Sequence, residues 1–339
     1  MRVELSDIAH WRHDLGHCLH TTMGGLLRHH GLDPLQVLGA HWGFFHRPGD
    51  VRREEYFFPL HRDGLLESMA PHHPVWSRWH WPEDAASGWS EVRAAILAGA
   101  PVAVAADNFH LPFRPAYRDV HTNHLLTAYG FDDERDLVLI CDSVPPRFQG
   151  AIPIGQFTDA RDSANPVLHD RDLFFTDNPV ANRWLEVGIE GELPPHDRDF
   201  VRQVLAANEA GFGSVHPGPE LSGLAGQRRY LDELGDRLAA GDASVIDETF
   251  IVTGAALAMT GVHGDYLTAT ARDFDSPALL EAARTVDRVA HHWSALRIGV
   301  AMAREEPAVA ETSVRNRAKH LLTDQEIALD RLRAAARSL

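Results

Sequence analysis

His124–Asp142 reads HLLTAYGFDDERDLVLICD, and this stretch decides how the first half of the chain folds. Two apolar runs of strand length, 124–131 and 136–142, flank a DDER connection of hairpin length. Paired antiparallel, two such strands bring the first residue of one near the last residue of the other. His124 opens the first strand and Asp142 closes the second, so an imidazole and a carboxylate meet on one sheet edge. Cys141 precedes Asp142 and points to the opposite face, which makes it a core residue. Upstream, PVAVAAD (101–107) is a third buried strand, and 150–154 and 183–189 can add two more.

Further out lies CLHTTMGGLLRHHG, which reads as a helix from Cys18 closed by Gly31. SEVRAAILAG (90–99) is a second helix, with Ser90 as N-cap and Gly99 as stop. A helix that begins at Cys18 leaves the first amides without partners, and its dipole favours a thiolate there. An imidazole that moves the proton and an acid that orients the ring complete a nucleophilic thiol site of papain-like layout. Cys18 is then the nucleophile, His124 the base and Asp142 the orienting acid. A small buried thiol is the plainer fate of a free cysteine. His121, in VHTNH, is a rival base. Asp107, at a strand end, is placed either to hold an amine or to cap a turn. His10, His13 and His17 have helical spacing that could gather a metal with Cys18 and His121. Gly16 weakens that helix and CxxC and HExxH are absent, so no metal is expected. Residues 1–17 hold no Gln or Asn to serve as a side-chain oxyanion donor. His17, His13 or Arg12 could substitute, or the backbone alone could serve. Phosphate-loop, dinucleotide and GxSxG motifs are also missing.

The 339 residues allow two domains. A net charge of −16 disfavours nucleic acid and favours a cationic small molecule. Arg47, Arg52 and Arg53, in RPGDVRREEY (47–56), offer a local basic patch or merely a solvated face. No continuous apolar run approaches the ~20 residues of a membrane span, and the first residues lack the apolar core of a signal peptide. With two cysteines and no disulfide framework, a reducing, cytoplasmic setting is expected.

The character of the chain changes at GELPPHD (191–197), where the proline pair blocks a helix. Segments 198–211, 224–240, 243–260, 263–274, 277–304 and 312–337 then read as helices. Leu279, Ala283, Val286, Ala290, Trp293 and Leu296 fall at three- and four-residue steps, a core-facing stripe. The expected fold is α+β, with a papain-like domain over 1–190 and an all-α domain over 198–339. The apolar helical half could pair with a second copy.

Four segments resemble the butirosin biosynthesis protein H-like acyltransferases: GHCLHTTMGGLLRHHG, PVAVAADNFHLPFRPAY, VHTNHLLTAYGF and LICDSVPPRFQGAIPI. GVHGDYLTATARDF and DRVAHHWSALRIGVAMA extend the likeness into the helical half. The resemblance implies a papain-like cysteine fold that takes acyl groups held as thioesters on carrier proteins. The type member passes an acyl chain to an aminoglycoside amine. Carried over, the catalytic residues are Cys18, His124 and Asp142, with Asp107, His121, Tyr117 and His17 near the substrates. The partners are an acyl or peptidyl carrier protein and a small amine acceptor. No cofactor is implied beyond the phosphopantetheine that carries the donor. A thioesterase or cyclase, a cysteine peptidase and a non-catalytic scaffold are the alternatives.

Overall fold

A computed structural model describes residues 1–48, 64–172, 175–214, 221–302, 304 and 306–339. Arg52 and Arg53 lie outside these. The chain divides into two compact units, broken at Gly191–Glu192. Residues 35–48 join the second unit rather than the first, so one early segment of the chain leaves the sheet domain.

The first unit is built on seven antiparallel strands: β1 (Arg2–Glu4), β3 (Val75–His80), β4 (Val102–Asp107), β5 (Asn123–Asp132), β6 (Leu137–Asp142), β7 (Phe148–Pro153) and β8 (Trp184–Ile189). Their order is β3-β8-β4-β5-β6-β7, with β1 also pairing β5. Between β1 and β3 the chain forms α1 (Cys18–His29), α2 (Pro34–Gly39), the two-residue strand β2 (Phe45–His46) and α3 (Leu65–Met69). β5 is the spine. β4 covers its first half and β1 its end, while β6 pairs with it from Thr127 to Asp132. Gly130 makes this crowding possible, since a Cβ there would lie 2.7 Å from the Val3 carbonyl.

Val102, Val104 and Ala106 alternate along β4, and Val138 and Ile140 along β6. With Leu126 and Ala128 they form one core cluster together with Val92 and Ile96 of α4 (Ala85–Leu97) and Phe157 of α5 (Ile154–Arg161). Each large side chain so buried contributes about 1.5–3 kcal/mol. The helix α4 starts earlier than Ser90. Asp84 caps it, accepting from Ser87 N at 2.7 Å in a capping box, so Ser90 lies inside the helix. Gly31 and Gly99 take the left-handed conformation (φ +77° and +88°) just past the ends of α1 (Cys18–His29) and α4. Segment 10–16 is not helical, so the spacing of His10, His13 and His17 does not stack their rings on one helical face.

The second unit is helical: α6 (Arg198–Gly213), α7 (Gly223–Ala239), α8 (Ser244–Asp273), α9 (Pro277–Ala301) and α10 (Pro307–Ser338). The architecture is therefore α+β followed by all-α. The α9 stripe from Leu279 to Leu296 is buried throughout. Segments 243–260 and 263–274 form one helix, because Gly261 and Gly264 continue α8 instead of breaking it. Trp42, from the early segment, donates Nε1–H to Thr260 Oγ1 at 3.1 Å and stacks on His263. By length and composition α8 could cross a membrane, yet 78% of its apolar window is buried in the fold.

Candidate active site

Cys18 is the first residue of α1, and its neighbour His17 is the N-cap. No side chain caps this helix start, so the leading amides keep their hydrogen-bonding capacity. The helix is held in place by the segment before it. Trp11 lies across Gly24, where a Cβ would come within 2.1 Å of the indole. Thr22 Oγ1 donates to the Leu125 carbonyl at 2.9 Å, fixing α1 to β5 one residue after His124.

The strand ladder delivers the other two groups. His124 stands opposite Ala106 near the start of β5, and Asp142 ends β6. His124 Nε2 meets Asp142 Oδ2 at 2.8 Å, with both side chains buried. The Cys18 thiol sits beside the His124 and His17 rings, both of which act on its ionisation. Since Nε2 is committed to Asp142, Nδ1 is the ring nitrogen left for the sulfur. His124 thus stands between the Cys18 thiol and the Asp142 carboxylate.

The charges follow from this arrangement. Burial pushes the Cys18 thiol up, but hydrogen bonds and positive charge from His124 and His17 outweigh it and bring it down to about 6. For His124, burial works against the charged ring. The Asp142 carboxylate and the bond to Cys18 overcome that, raising it to about 9. Between these values the pair is a thiolate and an imidazolium. Burial also raises Asp142, yet His124, Arg114 and the Val144 amide together hold its carboxyl below the usual range.

Arg114 escapes the sequence reading. Its guanidinium donates to Asp142 Oδ2 at 3.2 Å and to the Val144 carbonyl at 3.0 Å. Val144 N–H donates to Asp142 Oδ1 at 2.9 Å. The carboxylate is therefore gripped on three sides. The only cue was an arginine inside an apolar turn, LPFRPAY, with nothing to mark what it reaches.

The remaining candidates divide. His17 touches Cys18, and its ring packs edge-on against His20 at 4.5 Å. Asp107 and His121 form a pair of their own, with Nδ1 to Oδ2 at 2.7 Å. Asp107 is wholly buried. Tyr117 lies in the turn after Arg114, its ring under the Arg118 guanidinium at 5.1 Å, with no bond to Cys18, His124 or Asp142. Cys141 packs with Tyr129, Leu139 and Ile8 in a small cluster, and burial and the charge of Asp142 push its thiol up to about 11. Among the described residues no group of His, Cys, Asp and Glu is arranged to hold a metal.

Residues 17–143 match the family model described as butirosin biosynthesis protein H, N-terminal. The match begins one residue before Cys18 and ends one after Asp142. No curated protein matches the chain.

Proposed function

From the match of residues 17–143 to the butirosin biosynthesis protein H N-terminal family, we propose that this protein is a cysteine-dependent acyltransferase of natural-product biosynthesis. The observation that carries the reading is the His124–Asp142 pair beside Cys18 at the start of α1, with the thiol lowered and the imidazole raised. The thiolate attacks the carbonyl of a thioester, the free amides at the start of α1 face the developing oxyanion, and the leaving thiol takes a proton from His124. Exchange of one thioester for another is close to balanced, so no ATP is needed. An amine then attacks the acyl-enzyme and forms an amide. The donor is an acyl or peptidyl carrier protein presenting a phosphopantetheine arm, and the acceptor is a small cationic amine, which suits a chain of net charge −16. A cytoplasmic setting and self-association through the helical half complete the proposal. Release to water or to an internal amine would use the same acyl-enzyme and differ only in what discharges it.

The test is intact-protein mass spectrometry after incubation with an acyl thioester of pantetheine. One acyl mass on wild type and none on Cys18→Ala is the expected result. No adduct on wild type, or the same adduct on Cys18→Ala, overturns the reading.

A further inference from the structure

Three residues before His124, a second imidazole is held by a second carboxylate. Asp107 Oδ2 accepts from His121 Nδ1 and from Ser163 Oγ, both at 2.7 Å. Its Oδ1 accepts from the amides of Phe109 at 3.0 Å and Thr122 at 3.2 Å. These four bonds fill the acceptor positions of a carboxylate, so Asp107 can act on a ligand only through His121. The His121 ring is also stacked on Phe109 at 4.1 Å, and its backbone N–H is tied to Asp172 Oδ1 at 2.8 Å. Its Nε2, by contrast, makes no hydrogen bond among the described residues, and 6% of the side chain is exposed.

The two pairs occupy the same end of the sheet. Asp107 stands opposite Asn123, and Ala106 opposite His124, at the end of β4. The two histidines are three positions apart, at most about 11 Å between Cα atoms. Their states differ. His124 is engaged by Asp142 on one side and lies beside Cys18 on the other. His121 directs its Nδ1–H at a carboxylate and leaves Nε2 as the ring nitrogen open to a ligand.

Amide formation from an amine in neutral water has two protons to dispose of. The acceptor arrives as an ammonium. Converting it and an acyl thioester into an amide and a thiolate releases one proton before attack and one as the C–N bond forms and the C–S bond breaks. Resting on the acyl-transfer reading above, we propose that the His121–Asp107 pair is the proton acceptor for the incoming ammonium. His121 Nε2 takes the first proton and frees the lone pair that attacks. His124, neutral after protonating the leaving donor thiol, takes the second and restores the imidazolium–thiolate pair. His121 then releases its proton to water.

The experiment uses the full chain, S-butanoyl-N-acetylcysteamine as donor and two acceptors. Hydroxylamine is uncharged near neutral pH, whereas putrescine is an ammonium. His121→Gln should lower transfer to putrescine at least ~10-fold more than it lowers discharge by hydroxylamine. That gap should close as the pH approaches about 10, where free amine becomes abundant. Asp107→Asn, which keeps the ring but loses its orientation, should show the same preference. Acylation of Cys18 in each variant, read by mass, reports that the site is folded. Equal losses with both acceptors, a gap that ignores pH, or a wild type discharged by hydroxylamine but not by putrescine would overturn the inference. Absence of acyl-enzyme in wild type would instead sink the reading on which it rests, and the two failures differ in whether Cys18 ever carries the acyl mass.

Discussion

The mouth of α1 and the far end of β6 each hold a cysteine beside a histidine, and the two thiols diverge. Cys141 Sγ lies 3.5 Å from His10 Nδ1, and its thiol is pushed up to about 11. Cys18 sits beside His124 and comes down to about 6. Burial opposes ionisation at both sites. What differs is the state of the ring. Burial and the charge of Arg147 pull His10 down, so it brings no positive charge to Cys141. Asp142 lifts His124 to about 9 and keeps it charged. A nearby imidazole therefore does not activate a thiol; an imidazole held charged by a carboxylate does.

The comparison can be broken most severely at Asp142. Asp142→Asn leaves a side chain of the same shape but removes the charge that holds His124 protonated. Acylation of Cys18 should fall by ~10²–10⁴-fold, and its thiol should behave more like Cys141. Rates of acyl-enzyme formation check this. A smaller loss is expected for Arg114→Met, about 3–10-fold, because Asp142 keeps His124 and the Val144 amide while losing its third anchor. The smallest effect belongs to the other thiol. Cys141→Ala should leave Cys18 labelling unchanged and lower stability by only about 1–2 kcal/mol, measured by denaturant unfolding. Acylation should rise with pH around 6, as the thiolate forms, and decline around 9, as His124 loses its proton.

Much of this site was legible because its parts are local. A hairpin of two apolar runs fixes His124 against Asp142 whatever the rest of the sheet does, and a glycine-closed helix fixes Cys18 at its start. Arg114 was not legible, since its reach to Asp142 depends on how an irregular turn folds over the end of β6. The edge pairing of β3 with β8 joins residues over a hundred positions apart, and VWSRWH carries polar side chains that blur a strand signal. Residues 35–48 leave the sheet domain without any compositional mark; Trp42 and Phe44 read as core but do not say of which unit. Gly261 and Gly264 look like breaks in the sequence. In the fold both lie inside α8, which runs unbroken from Ser244 to Asp273.

The most direct test is the rate of iodoacetamide alkylation at each cysteine as a function of pH, read by peptide mass spectrometry. Cys18 should react with a midpoint near 6, while Cys141 stays unmodified until well above the ordinary thiol range. A Cys18 midpoint at about 8.5 or higher, or equal labelling of the two thiols, would contradict the account.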